Sequence, residues 1–190
     1  MLAPPSMRER IVAAAVALTT EVGWSRVTMA TLADQVGVSR QTVYNEVGTK
    51  PGLAEAMILH ELDRFLGVVS LAFDAHPDDL VAAIREASRG VLVLAQDNRL
   101  LHAVVSATHG ADTELLPLLT THAESLLAAA KLVVRDRIEP YDVTLGEAHL
   151  EAAIDMVVRV VLSHVMQPSG PPERTADDIA WIAARVLRSP

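Results

Sequence analysis

The chain has 190 residues, with 16 Lys and Arg against 24 Asp and Glu for a formal net charge of −8, and it contains no cysteine. The length is ample for an apolar core, and the missing cysteine excludes disulfides, zinc–thiolate sites and thiol chemistry. Apolar residues make up 51% of the chain but aromatics only 3%, so the core must be built from Ala, Leu, Val and Ile; the first two favour helix, and the expected fold class is all-α.

Between Met7 and Thr20, Ile11, Ala14, Ala15 and Leu18 recur at helical spacing, and Gly23 marks the exit. Thr28 is an N-cap for a short helix in which Leu32, Ala33 and Val36 share a face, and Gly37 stops it. Only Val38 separates that glycine from Ser39, a second N-cap, behind which Arg40 to Val47 is predicted to form another short helix with Val43 and Val47 inward. Gly48 then breaks the chain before Thr49, Lys50 and Pro51 open a long helix, predicted to run to about Ala75 along a stripe of Ile58, Leu62, Phe65, Leu66, Val69 and Phe73.

Leu80, Ile84, Ala87, Val91 and Leu94 mark a fifth helix, and Leu101, Val104 and Val105 a shorter sixth ending near Gly110. Leu115, Leu119, His122, Leu126 and Val133 mark a seventh, closed by Pro140. Thr144 with Glu147 predicts a capping box for an eighth helix reaching about Met166, and Thr175 with Asp178 a similar cap for the last. The pattern implies about nine helices, divided into a helix-turn-helix head over residues 1–50 and a larger helical body over 51–190.

The apolar runs at Met156 to Val158 and Val160 to Leu162 are broken by Arg159, far short of the roughly 18 residues that span a bilayer. No membrane contact is expected, and an amphipathic N-terminus unlike a secretory signal points to the cytoplasm. Residues 1–50 carry five cations against four acids, while the remainder carries eleven against twenty. An acidic body behind a near-neutral head would repel phosphate everywhere except at the head, which orients an encounter with DNA; acidic surfaces also simply keep chains in solution.

Two short helices meeting at a glycine turn are the outline of a DNA-reading helix-turn-helix, whose second helix enters the major groove. The outer face of the second helix would present Arg40, Gln41, Tyr44 and Asn45, residue types able to hydrogen-bond base edges and phosphates. The stretch GVSRQTVYNEVGTKPGL, Gly37 to Leu53, closely resembles the recognition helix and following turn of the TetR family of bacterial regulators. The likeness extends back through the three-helix spacing to about Arg8 and forward, more weakly, into the body. It implies phosphate contacts from Thr28, Tyr44 and Lys50, base reading and groove lining by Arg40, Gln41, Thr42 and Asn45, and a helix cap at Ser39. After the tyrosine the family commonly has a His-Phe or similar pair where this chain has Glu46 and Val47; Val47 can still pack, and Glu46 has no assigned role.

One head neutralises few phosphates, so useful affinity requires a homodimer on a twofold-symmetric, double-stranded operator. In the family the last two long helices form the dimer interface, which implies Ile154, Val157, Val158, Val161 and Val165 with Ile179, Ile182 and Val186. Periodicity alone fits burial within one subunit equally well. A strip of Glu147, Glu151, Asp155 and Arg159 is expected to be solvated.

The resemblance also implies a small-molecule effector in the body, with apolar lining expected and His102, His109 and His122 as candidate polar contacts. The bland alternative for each histidine is a core or surface residue. No pair of histidines lies at i, i+4 and no nucleophile elbow or cofactor fingerprint occurs, so no catalytic residue, metal or cofactor is assigned. The rivals are a helical enzyme using His122 or His102 as general base and a helical module that binds protein.

Overall fold

The computed structural model describes residues 4–98, 100–102 and 123–187. Among them the regular structure is entirely helical. It comprises α1 (Met7–Val22), a 3₁₀ turn (Trp24–Arg26), α2 (Met29–Val36), α3 (Arg40–Val47), α4 (Lys50–Ala75), α5 (Leu80–Gln96), α6 (Ala123–Ile138), α7 (Glu147–Met166) and α8 (Pro172–Val186). The all-α expectation holds. The expected short helix after Leu101 and the first part of the helix before Ala123 lie outside the described residues.

Two compact units divide the described chain, one reaching Leu62 and including residues 100–102, the other holding 63–98 and 124–187. In the first, α1, α2 and α3 pack on one another around Ile11, Val12, Ala15, Trp24, Val27, Leu32, Ala33, Val43 and Val47. Leu53, Ala54, Ala56 and Met57 of α4 complete that core. The head therefore extends past the expected boundary at residue 50. The physical reason is size: α2 and α3 have eight residues each and cover too little apolar surface, so the first turns of α4 must close the cluster.

In the second unit, Val69, Ala72 and Phe73 of α4 meet Ala83, Ile84, Ala87 and Val91 of α5, Ile138 of α6, Ile154 and Val158 of α7, and Ile179 and Ala183 of α8. An Arg85–Asp177 ion pair of 2.5 Å ties α5 to α8, and Arg137–Asp74 of 2.6 Å ties α6 to α4. The Tyr141 hydroxyl donates to the His76 carbonyl at 2.8 Å, and its ring meets Phe73 edge-on at 6.0 Å. This clasp fixes the α6–α7 connection against the α4–α5 turn.

Local signals hold at the head and fail at two body caps. Ser6 and Glu9 form a capping box on α1, Thr28 accepts from the Thr31 amide at 3.1 Å, and Ser39 accepts from the Thr42 amide at 3.1 Å. By contrast α7 starts at Glu147 behind Gly146, with no side-chain cap, so Thr144 does not cap it. α8 starts at Pro172 rather than behind Thr175, which is buried one turn inside the helix. Proline suits a first turn because its missing N–H would have no intrahelical partner there.

Candidate nucleic-acid interface and body surfaces

The geometry of the head follows from its turns. Gly37 ends α2 in the left-handed region at φ +76°, where its amide and that of Val38 both donate to the Ala33 carbonyl, at 3.0 and 2.9 Å. A side chain is disfavoured there, and the reversal aims α3 away from α2. Gly48, at φ +69°, closes α3 by donating to the Tyr44 carbonyl at 2.9 Å. Val43 and Val47 are buried, which turns the opposite face of α3 outward.

That outward face carries the expected residues. Arg40, Gln41, Tyr44 and Asn45 are exposed, as are Thr28 and Ser39. Thr42 is half-buried, its hydroxyl 2.9 Å from that of Ser39. Gln41 Nε2 donates to Asn45 Oδ1 at 2.9 Å, so the two amides form one joined edge that retains the Gln41 oxygen as acceptor and the Asn45 nitrogen as donor. Such an edge can meet adenine, while an exposed arginine can meet guanine or phosphate.

Lys50 lies at the opening of α4 with Nζ 4.9 Å from the Trp24 ring centroid. The buried indole thereby holds the ammonium by a cation–π contact and limits where its charge can sit. Sequence reading found Lys50 but not Trp24. Arg8 donates to the Glu46 carbonyl and Arg10 to the Val36 carbonyl, two further contacts that periodicity could not disclose. Glu46 is half-buried, and its main-chain carbonyl receives the Arg8 guanidinium.

In the second unit a groove of about 420 Å³ runs between α4 and α5. Val68, Leu71, Ala72, Val93 and Leu94 supply apolar walls, and a Glu86–Arg89 ion pair of 2.6 Å supplies a polar end. The hydrogen bond from Arg89 holds the Glu86 carboxyl below the usual carboxylate range. A Cβ on Gly90 would come within 2.5 Å of Val68 Cγ1, so this glycine allows the close approach of the two helices that shapes the groove. His102 is exposed and does not line the groove, while His109 and His122 lie outside the described residues. The spacing of Glu86 and Arg89 was the available sequence signal for this polar end.

The expected interface residues separate into two groups. Ile154, Val158 and Ile179 are buried in the subunit's own core, and Val157, Val161 and Val165 pack against it. Ile182 and Val186 are exposed, as are Trp181, Met156, Val160 and Met166. The uncovered apolar surface of α7 is thus the one carrying Met156 and Val160, because Ile154 and Val158 roll the other side inward. In the expected solvated strip Glu147, Glu151 and Arg159 are exposed and Asp155 is half-buried; the strip is also ion-paired to α6, Lys131 binding Asp155 at 3.0 Å and Arg135 pairing with Glu147 and Glu151.

A glycine-turned pair of short helices with a polar outward face, mounted on a longer helix that leads into a helical body, defines a helix-turn-helix DNA-binding protein. The family model described as bacterial regulatory proteins, tetR family, matches residues 11–57, and that described as bacterial tetracyclin repressor, C-terminal domain, matches residues 79–185. The chain belongs to the TetR family of transcriptional regulators, which are not enzymes. It is similar to the transcriptional regulator AlkX of Mycobacterium tuberculosis, 27% identical over 157 residues that cover 83% of this chain and 74% of the relative. Among solved structures it is similar to the TetR family repressor AlkX of Dietzia sp., implicated in biodegradation of n-alkanes. That match has a TM-score of 0.76 and 27% identity over 94% of this chain and 96% of the other. A transcriptional regulator from Rhodococcus sp. Rha1 shares the fold, with a TM-score of 0.61 at 18% identity over 96% and 97% of the two chains. No helix among the described residues is long and apolar enough to cross a membrane.

Proposed function

We propose that this regulator is a repressor that binds a twofold operator as a homodimer and is released by a small apolar or amphipathic effector. The observation that carries the DNA part is the outward face of α3, where Arg40, Gln41, Tyr44 and Asn45 stand exposed while Val43 and Val47 anchor the helix. In this reading Gln41, Asn45 and Arg40 meet base edges, Thr42 lines the groove, and Thr28, Tyr44 and Lys50 meet phosphates, with Ser39 capping the helix. Repression is supported by the similar AlkX from Dietzia, which is a repressor.

The dimer reading rests on the exposed apolar side chains of the last two helices, Met156 and Val160 on α7 and Trp181, Ile182 and Val186 on α8, which a second copy would cover. It replaces Ile154, Val158 and Ile179, which the subunit already buries. The effector reading rests on the α4–α5 groove, whose apolar walls suit an alkyl chain and whose charged lining, the Glu86–Arg89 pair and Asp97, suits a polar head. The role of the similar protein in n-alkane biodegradation supports the same class.

Fluorescence anisotropy against duplex from immediately upstream of the protein's own gene, at several salt concentrations, tests the reading. Specific, salt-dependent binding, with a symmetric footprint, is the expected result. Medium-chain alkanes, alcohols and fatty acids are then titrated into the complex. Protection of one asymmetric half-site would overturn the dimer reading, and release by small polar ions alone would overturn the effector class.

A further inference from the structure

Arg8 and Arg10 project from the first turn of α1 towards the ends of the two helices of the helix-turn-helix. Arg8 Nη1 donates to the Glu46 carbonyl of α3 at 2.5 Å, and Arg10 Nη2 donates to the Val36 carbonyl of α2 at 3.2 Å. Both carbonyls lie in the last turn of a helix, where C=O groups lack intrahelical partners and the negative end of the dipole gathers. α1 therefore sets a cation on the C-terminal end of each helix.

The consequence is largest for α3. Only Val43 and Val47 of this eight-residue helix are buried; they turn its polar side outward, and contacts at its two ends hold that side in place. Its start is held by the Ser39 cap and the Gly37 turn, and its end by the Arg8 guanidinium, a charge-assisted contact. Base reading demands side chains held to within about 0.5 Å by supporting groups. A guanidinium bound to the carbonyl of Glu46, next to Asn45 in the chain, is such a support.

We propose that Arg8, seconded by Arg10, is a positioning residue for operator recognition: it docks the C-terminal end of the recognition helix on α1 and so sets base discrimination, rather than spending its charge on phosphate. The proposal rests on the operator-binding reading above. It differs from the ordinary expectation for an arginine on a DNA-binding head, which is a phosphate contact that adds to affinity on every sequence and steepens the salt dependence.

The test uses the full chain with Arg8→Met, Arg8→Lys and Arg10→Met. Anisotropy is read over a salt series against a duplex selected from random DNA and its scrambled counterpart, and hydrogen exchange of the α3 amides is read without DNA. Arg8→Met is expected to lose about tenfold in operator affinity, the usual scale for one charge-assisted hydrogen bond. It should lose less on the scrambled duplex, keep the wild-type slope of log K against log salt, and exchange faster at Val47 and Gly48. Arg8→Lys, which keeps a donor at that place, should recover part of the discrimination and carries the same test if Arg8→Met loses helix content. A slope flatter by about one unit per head with discrimination intact would assign Arg8 to phosphate and overturn the proposal. So would unchanged affinity and exchange. If the wild-type chain selects no duplex, the operator reading fails on its own, and exchange at Val47 and Gly48 still decides whether the clamp holds α3.

Discussion

Replacing Trp181 by Ala should dissociate the dimer, whereas replacing Ile154 by Ala should unfold the subunit. Trp181 is 61% exposed on α8, with the Arg185 guanidinium 5.2 Å from its ring centroid. A tryptophan buries about 200 Å² when fully covered, so a partner would remove about 120 Å² of this residue from water. At about 25 cal/mol per Å² that contributes about 3 kcal/mol per site, and a twofold interface contains the site twice, for a ceiling of about 6 kcal/mol. Ordering costs lower that figure, so the dissociation constant should weaken by about two to four orders of magnitude. Ile154 is 3% exposed within the core, and its truncation should cost about 2–5 kcal/mol of subunit stability through the cavity left behind. Sedimentation equilibrium measures the first effect, and urea unfolding at a concentration where the chain is monomeric measures the second. If Trp181→Ala leaves the association constant unchanged, or Ile154→Ala dissociates a subunit that stays folded, the assignment of outer and inner faces is wrong.

Lys50→Ala should weaken binding to all duplexes alike and flatten the salt slope by about one unit per head, read by anisotropy; an effect confined to one sequence would contradict the phosphate role. With Lys50 as the head's phosphate-facing cation and Arg40 at the base edges, the dimer should show a slope near −2, from about −0.9 per neutralised phosphate. Gly37→Ala should cost about 1–2 kcal/mol in urea unfolding, since the new Cβ meets no neighbour within 4 Å and the loss comes from the φ of +76° alone. Unchanged stability there would mean that the turn had re-formed in another way. The Ser6 amide, the Arg89 side chain, and Arg159 with Lys131 hold the carboxyls of Glu9, Glu86 and Asp155 below the ordinary carboxylate range. A depressed folded value stabilises above the unfolded one and is lost as pH falls through the folded one, so the urea midpoint should be level from about pH 8 to 5.5 and drop below about pH 4.5. A midpoint that rises on acidification would contradict this.

What was legible in the sequence depended on how local the determinant was. Thr28, Gly37, Ser39 and Gly48 act within four residues of themselves, and each does in the fold what its position implied. The outward face of α3 was legible for the same reason, because Val43 and Val47 decide it between them. α7 was less tractable: apolar residues occupy most of its circumference, so periodicity could not say whether Ile154 or Met156 turns inward until α5 and α8 were placed against it. The cap at Thr144 misled because a threonine three residues before a glutamate fits a capping box wherever it falls, while the helix starts two residues later than that box would have it. Contacts between residues distant in sequence were invisible. Lys50 with Trp24, Arg8 with Glu46 and Lys131 with Asp155 join groups 26, 38 and 24 residues apart, and no spacing rule reaches that far.

These distant contacts bear on how a chain of net charge −8 can address a polyanion. The head has only five cations up to Lys50, and three of them are engaged within the protein, with Arg8 and Arg10 on helix-end carbonyls and Lys50 over an indole. A head so built draws little of its affinity from charge and correspondingly more from the fit of α3 in the groove. Weak electrostatic attraction is a disadvantage for finding DNA but an advantage for telling sequences apart, because the charge term is common to every sequence while the fit is not. On the proposed reading the acidic remainder of the chain would act in the same sense, by lowering the residence of wrongly oriented encounters. On this account an effector needs to move the heads only slightly to release the operator, since little non-specific attraction would remain to hold a misaligned dimer in place.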